Sequence, residues 1–242
     1  MTTDGDHGFG VNRLGKRKKV SAVQRVVLAV LTLFMTACDP ATRLPAEPTA
    51  QIGTRALIKR HGQELVAEVT RVRGKLVTTE FNWRGEQVAK RRYYRGLYPI
   101  SGTEYGYQFE LDFDDSLLEQ IFPLRVGNHA SFDGNLKIID RGTAVDVLVD
   151  MVVVAEKTID LSESAHRVFV VEIETEYRSA AGVKRKNNTV YYAPDLSMVL
   201  KSVMHEEGQQ TFWRVISVER PGAGGKVKSP TLRQRRSGTV MI

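Results

Sequence analysis

Two stretches decide the fold: residues 145–153 read VDVLVDMVV, and residues 169–177 read FVVEIETEY. In both, apolar and mostly β-branched side chains alternate with carboxylates or other residues. A period of two places alternate side chains on opposite faces of an extended strand. The two stretches therefore predict antiparallel strands that have one buried face and one face in water.

Glycine-containing turns divide the rest of the chain into further short strands. Between Ile52 and Pro99, turn signals recur every 11 or 12 residues, at Gly62, Gly74 and Gly85. Glycine supplies the positive φ angle that a tight hairpin needs. Similar signals at 179–183 and 206–208 link the later strands. This spacing predicts a β-meander in which strands that follow each other in sequence are also neighbours in the sheet.

One short helix is predicted near the middle of the chain. Residues 112–120 read DFDDSLLEQ, with Asp114 suited to the N-cap and acidic side chains in the first turn. Asp112, Asp114 and Asp115 could also bind a calcium ion through their oxygens, but the glycine and the terminal glutamate of a known calcium loop are missing. Helix capping explains these residues better.

The segments FPLRVG at 122–127 and VYYAPDL at 190–196, the latter followed by a strand from Val199, resemble parts of a group of uncharacterised bacterial envelope proteins. The resemblance covers about residues 120–205. These proteins are thought to be related in shape to periplasmic lipoprotein carriers, so the resemblance implies an incomplete barrel over one or more helices. This chain departs from that shape in having little helix, with only residues 114–121 available as a lid. The expected fold is therefore mainly β, an antiparallel meander sheet curled into an incomplete barrel, with one short helix.

The N-terminal segment has the order of a secretory signal. Six basic side chains in residues 13–25 precede a run of twelve mostly apolar residues, 26–37, which ends in Thr36 and Ala37. A membrane-spanning helix needs about 20 apolar residues. The run is too short to span a bilayer comfortably, which favours a signal peptide over an uncleaved anchor.

The peptide Met35-Thr36-Ala37-Cys38 resembles a bacterial lipobox, although Met35 stands where leucine is usual. The resemblance implies cleavage before Cys38 and a diacylglycerol on its thiol. Asp39, directly after Cys38, resembles the signal that keeps lipoproteins of enteric bacteria in the inner membrane, which implies the inner over the outer membrane. An ordinary buried thiol is the alternative for Cys38, since free cysteine is often buried.

These signals predict four regions: a signal peptide at 1–37, a proline-rich linker at 38–51, a β-rich periplasmic domain at 52–219 and a basic disordered tail at 220–242. The formal charge of +7 is uneven. Residues 1–37 carry +4 and the tail carries +6, which leaves −3 for residues 38–219. Because nucleic-acid binding needs a basic surface on the fold itself, no nucleic-acid partner is expected.

Motifs for catalysis, metal binding or cofactor binding are missing from the sequence. No nucleophile elbow, phosphate-binding loop or dinucleotide fingerprint occurs. The histidines are too scattered for a structural zinc site; they are His7, His61, His129, His166 and His205. We therefore predict no catalytic residue, metal or cofactor.

The leading hypothesis is a non-enzymatic, lipid-anchored protein on the periplasmic face of the cell envelope. It would bind a protein, a lipid or a cell-wall component. The alternative is a carrier of lipid or another apolar ligand. Its cavity would lie in the concave face of the sheet and be lined by Val145, Val147, Val149, Phe169, Val171 and Ile173. An envelope hydrolase is a third hypothesis, which a cleft with converging carboxylates would favour.

Overall fold

The computed structural model describes residues 47–104, 106–162, 164–180 and 182–222. Twelve strands, one α-helix and one 3-10 helix make up this described part. The strands are β1 (Arg55–Arg60), β2 (Gln63–Arg73), β3 (Leu76–Trp83), β4 (Glu86–Tyr94), β5 (Tyr98–Glu104), β6 (Tyr107–Phe113), β7 (His129–Ile138), β8 (Thr143–Asp160), β9 (Ala165–Ser179), β10 (Gly182–Ala193), β11 (Met198–Glu206) and β12 (Gln209–Glu219). The α-helix is α1 (Asp115–Glu119), and the 3-10 helix is Ile139–Arg141. No helix in these ranges is long and apolar enough to cross a bilayer.

The strands form one antiparallel sheet that closes on itself. Each strand pairs with the one before it, and β12 pairs with β1 from Glu219 opposite Arg55 to Trp213 opposite Arg60. The predicted meander and mainly β fold are confirmed, but the prediction of an incomplete barrel is wrong. An open sheet would leave rows of N–H and C=O groups unpaired on β1 and β12, and closure pairs them.

The barrel has two different ends because its strands alternate in direction. Strand β1 begins and β12 finishes at the same end, where Gly53 lies beside Pro221. Helix α1 and residues 120–128, which connect β6 to β7, also lie at this end, which we call the plugged end. The opposite end, the hairpin end, consists of the turns between odd-numbered strands and the strands that follow them.

Three of the turns at the hairpin end are two-residue loops in which both residues have positive φ. They are His61–Gly62 (φ 46° and 79°), Arg84–Gly85 (53° and 89°) and Glu207–Gly208 (49° and 78°). This is the backbone of a type I′ turn, whose twist matches that of paired strands. The turns predicted at these glycines are therefore confirmed.

The alternating stretches take up the predicted faces. In β8, Val147, Val149, Met151 and Val153 point into the barrel and are at most 4% exposed. They join Phe132 and residues of β9 and β10 in a packed apolar core. A second apolar cluster, built on β1, β2 and β11, fills the neighbouring part of the interior.

Helix α1 closes the plugged end with apolar side chains. Its N-cap is Asp114, whose carboxylate accepts a hydrogen bond from the Ser116 backbone N–H at 2.9 Å, as the sequence predicts. Leu118 and Ile121 are completely buried, and Leu124 is nearly so. The burial of these three residues in the main core holds a helix that is too short to be stable alone.

The turn between β4 and β5 provides a test of the packing at this end. Gly96 has φ +74°, and a Cβ placed there would lie 1.7 Å from the backbone oxygen of Ser197. We expect Gly96→Ala to lower the free energy of unfolding by about 3 kcal/mol, because both the left-handed backbone and the contact disfavour a side chain. Urea-induced unfolding would measure this.

The matched control for this prediction is Gly85→Ala. Gly85 also has positive φ, but nothing lies within 4 Å of the position that a methyl group would take there. The expected loss is about 1 kcal/mol, from the backbone alone. Equal losses for the two variants would contradict the proposed close contact.

Candidate functional site

The predicted site residues fall into two groups. Cys38, the predicted lipidation site, lies outside the described residues. The six predicted carrier residues share the inner face of β8 and β9. Five of them, Val147, Val149, Phe169, Val171 and Ile173, are at most 5% exposed and pack in the main core, and Val145 is half-buried. The carrier hypothesis stays a prediction.

Towards the hairpin end the barrel interior becomes charged. The register shows this directly, because residues opposite each other in paired strands share a face. Arg91 lies opposite Thr79, which lies opposite the fully buried Val69. Lys186 lies opposite Thr175, which lies opposite the fully buried Val149. Both cations therefore point into the barrel.

The guanidinium of Arg91 is held by residues of three strands. It donates hydrogen bonds to the carboxylate of Glu104 and, at 3.4 Å, to the Tyr93 hydroxyl. Its Cζ lies 5.3 Å from the centre of the Phe81 ring. Burial favours loss of its proton, but Tyr93 and Glu104 outweigh this and raise the pKa of Arg91. Its Nε–H is buried and has no hydrogen-bond partner among the described residues.

Lys186 faces Arg91 from the other side of the barrel. Burial is the main reason that its pKa is lowered, and Arg91 and Arg60 lower it further, while Glu206 and Glu104 partly oppose this. We call Arg60, Arg91, Glu104, Lys186 and Glu206 the lumen cluster. It contains three cations and two carboxylates.

A second candidate site is a groove on the outer wall across β2 to β6. Its volume is about 920 Å³. The charged residues that line it are Arg71, Arg73, Glu80, Lys90, Arg92 and Glu110, with hydroxyl and amide groups from Thr70, Thr78, Ser101, Thr103 and Gln108. We call it the β2–β6 groove. Its lining combines polar and apolar surface in similar amounts and carries a formal charge of +2.

Two cations of the β2–β6 groove have protein partners and two do not. Lys90 pairs with Glu80 at 2.9 Å, and the Nε of Arg92 donates to the Ser101 hydroxyl at 2.8 Å. The side chains of Arg71 and Arg73 are exposed and make no hydrogen bond or ion pair with any described residue. These two guanidinium groups are available to a ligand.

Ser164, His166 and Asp195 form a hydrogen-bonded row at the plugged end. The imidazole of His166 lies 2.7 Å from the Ser164 hydroxyl and 2.9 Å from the Asp195 carboxylate. Serine hydrolases use this order of groups with a buried aspartate. Here the buried member is His166, at 6% exposed, while Asp195 is 46% exposed and is shared with Arg220. We interpret the row as a clamp that joins the β8–β9 and β10–β11 turns to the end of β12.

Glu119 ties the helix to the barrel. Its carboxylate accepts hydrogen bonds from the Tyr94 hydroxyl and from Arg95, with the Arg95 Nε at 3.1 Å, and lies 3.3 Å from Lys75 Nζ. Burial alone would raise the pKa of Glu119, but the hydrogen bonds from Arg95 and Tyr94 outweigh it and lower the pKa. The deprotonated carboxylate thus holds the plug in place.

Sequence reasoning missed the lumen cluster and misassigned one of its members. From the sequence, Lys184, Arg185 and Lys186, or the basic surface of a partner, are expected to neutralise the glutamates on the outer face of β9. Only Arg185 does so, 2.9 Å from Glu176, while Lys184 pairs with Glu207. The alternation of strand β10 could have revealed the position of Lys186. Lys186 is an even number of residues before Val190 and Tyr192, which are both buried, so all three side chains lie on the inner face.

No three histidine, cysteine or acidic side chains among the described residues lie close enough together to bind a metal ion. Asp112 forms an ion pair with Lys137 at 3.0 Å, and Asp114 caps α1. The capping interpretation is therefore confirmed for Asp114.

Comparisons with known proteins show a similarity of shape. No protein-family model and no curated protein matches the chain. The hypothetical lipoprotein YmcC of Escherichia coli is similar, with a TM-score of 0.48 and 11% identity, over 83% of this chain and 97% of that one. A Bacteroides fragilis protein described as exported, with a YmcC-like fold, gives a TM-score of 0.45 and 11% identity over 71% and 97% of the two chains. A Parabacteroides distasonis protein described as a lipoprotein gives 0.40 and 10% over 72% and 100%. No residue role follows from these similarities.

The Glu119 network predicts a dependence of stability on pH. Its folded-state pKa lies below the ordinary value of 4.5, so its stabilising effect is complete above that pH and is lost as the pH falls through the folded-state value. We expect Glu119→Gln to lower the free energy of unfolding by about 2 kcal/mol at pH 7, because Arg95 loses its charged partner. The difference from the wild type should shrink as the pH falls below 4.5 and through the folded-state pKa.

Glu207→Gln is the matched control for Glu119→Gln. Glu207 also has a lowered pKa, through its hydrogen bond from Lys184, but that pair is fully exposed. We expect a much smaller change in stability at any pH. Urea unfolding of the three proteins across this pH range would measure it, and a constant difference for Glu119→Gln would contradict the prediction.

Proposed function

We propose that the protein is a lipid-anchored, non-enzymatic binding module of the cell envelope, and that its β2–β6 groove binds an anionic polymer of the cell wall. The observation that carries the proposal is the groove itself. It has a volume of about 920 Å³, hydroxyl, amide and charged groups along its lining, and two arginine side chains that have no partner among the described residues. The lipid anchor rests on the lipobox-like peptide that ends at Cys38.

The charge of the groove favours an anionic ligand. Four cations and two carboxylates line it, whereas residues 38–219 as a whole carry −3. The groove is thus a positive region on a negative body, and such a region attracts anions over a distance of several ångströms. Arginine in particular matches carboxylate and phosphate groups with two parallel hydrogen bonds.

The extent of the groove favours a polymer over a small molecule. The lining residues come from five consecutive strands, β2 to β6. With neighbouring strands about 4.8 Å apart, the groove extends about 19 Å across the wall. Hydroxyl and amide groups lie along this distance beside the charges. An extended chain with repeated hydroxyl and carboxylate groups would contact the whole lining.

The anchor would orient the barrel relative to the membrane. The described chain begins at Glu47 and enters β1 at the plugged end. The ten residues from Cys38 to Glu47 are joined by nine residue-to-residue steps, which reach at most about 30 Å when fully extended. A lipid on Cys38 would therefore keep the plugged end nearer the membrane, and the hairpin end would extend into the periplasm.

Charge reversal in the groove tests the binding role. We expect the double variant Arg71→Glu/Arg73→Glu to bind purified peptidoglycan sacculi at least about tenfold more weakly than the wild type, because two charge-assisted hydrogen-bond donors are replaced by repelling carboxylates. Co-sedimentation would measure the affinity, and wild-type binding should weaken as salt is added.

The control for net charge is Lys59→Glu/Arg214→Glu. These exposed cations lie opposite each other on the outer wall of the β1–β12 pair and are not part of the groove lining. This variant has the same charge change and should bind sacculi as the wild type does. Equal loss in the two double variants, or no wild-type binding, would overturn the groove assignment.

Mass spectrometry tests the anchor. Expressed in full in a bacterium that processes lipoproteins, the protein should be recovered in the membrane fraction, beginning at Cys38 and carrying the added mass of a diacylglycerol. Cys38→Ser should abolish both the added mass and the membrane association. A wild-type protein found in the cytosol with residues 1–37 attached and an unmodified thiol would overturn this part of the proposal.

A further inference from the structure

The lumen cluster has no role in the proposed binding of a cell-wall polymer, which takes place on the outside of the barrel. Its cations come from three strands that are far apart in the sheet. Arg60 lies on β1, Arg91 on β4 and Lys186 on β10. In the ring of twelve strands, β4 and β10 are separated by five strands on either side.

The cations of these strands can influence one another only across the interior of the barrel. Arg91 and Arg60 both act on the ammonium of Lys186 strongly enough to lower its pKa. Because β4 and β10 are on opposite sides of the barrel, this influence passes through the space that they enclose. The three cations therefore surround a common volume inside the hairpin end.

This volume is open to water. The side chain of Arg91 is surrounded by strands, yet 26% of its surface is exposed, and that of Glu104 is 34% exposed. Lys186 is also only partly buried. Opposite Arg91 on β5 is Gly102, so no side chain from that position fills the interior beside the guanidinium.

The hydrogen bonds of the cluster leave one buried donor of Arg91 without an acceptor among the described residues. Glu104 is bound by Arg91, and this pair neutralises one cation. Glu206, opposite Lys186 on β11, is the other carboxylate of the cluster. The buried Nε–H of Arg91 still has no acceptor among the described residues. A buried donor without an acceptor is costly, and an oxyanion would satisfy it.

We propose that the hairpin end of the barrel contains a binding site for a phosphate-type oxyanion, held between Arg91 and Lys186. Arg91 contributes a directed N–H group and Lys186 a mobile ammonium. The chemistry suits a free phosphate ion or the phosphate of a small organic ester. The site is independent of the β2–β6 groove and of the lipid anchor.

The test uses inorganic phosphate and glycerol 3-phosphate as probes for the two sources, with the domain lacking residues 1–37 and carrying Cys38→Ser. Isothermal titration at constant ionic strength, with chloride as the competing anion, should show saturable binding of one oxyanion per chain. Tighter binding of the ester would identify an organic phosphate as the ligand, and equal binding would identify the free ion. Either result supports the site, and no saturable binding of either probe overturns it.

Exposed cations on the outer wall, away from the β2–β6 groove, supply matched controls. Arg91→Gln and Lys186→Gln should each weaken phosphate binding by about tenfold or more, since each removes a charge-assisted hydrogen bond. Arg185→Gln, one residue from Lys186, and Arg214→Gln remove the same charge from the outer wall outside the β2–β6 groove, and each should change affinity less than about twofold. Equal losses inside and outside would mean that binding follows net charge and would overturn the proposal.

A nuclear magnetic resonance signal of the wild-type protein tests the role of Arg91 even if the Arg91→Gln variant does not fold. In the wild-type protein, added phosphate should shift the Nε–Hε nuclear magnetic resonance signal of Arg91, which is assigned by its absence in Arg91→Lys. If Arg91→Gln fails to fold, Lys186→Gln and this signal decide the matter. An Nε–Hε signal that stays fixed at saturating phosphate would overturn the role given to Arg91.

Discussion

Hydrogen bonding between β1 and β12 is the constraint on which the rest of the structure depends. These strands are separated by about 150 residues of chain, yet they pair along the whole of β1. The pairing leaves no exposed edge on the sheet. It also creates an interior, because a sheet that did not close would have two faces but no enclosed space. The core, the plug and the lumen cluster all exist only because this one pair of strands meets.

The interior that closure creates is divided by the way its two ends are built. At the plugged end, α1 and the loop after it insert Leu118, Ile121 and Leu124, which pack with other apolar side chains of the main core. At the hairpin end, turns such as His61–Gly62 and Arg84–Gly85 are too short to fold over the opening. Water therefore reaches the inner face there, and charged side chains such as Arg91 and Lys186 can point inward without losing all of their hydration.

The sequence predicts local features of this fold well and global features less well. Alternation over residues 145–153 and 169–177 predicts strands and their buried faces, glycines predict the hairpins, and Asp114 predicts the start of α1. Closure could not be predicted, because nothing in β1 identifies β12 as its partner, and the resemblance of residues 120–205 suggested an open sheet. The outer groove could not be predicted either, since it requires side chains from five strands to lie along one wall. One member of the lumen cluster could have been predicted, because alternate residues of a strand share a face, and counting by twos from Val190 back to Lys186 places that lysine on the inner face.

The proximity of Gly53 and Pro221 has a further consequence. Strands β1 and β12 are paired, and the start of β1 lies beside the end of β12. The ring of strands could therefore begin at any strand without a change in which strands are neighbours. A short peptide joining these ends would close the backbone into a circle, and a cut at the exposed Arg84–Gly85 turn would then give a permuted chain with every strand pair preserved. The architecture is fixed by which strands are neighbours around the ring and not by which of them is made first.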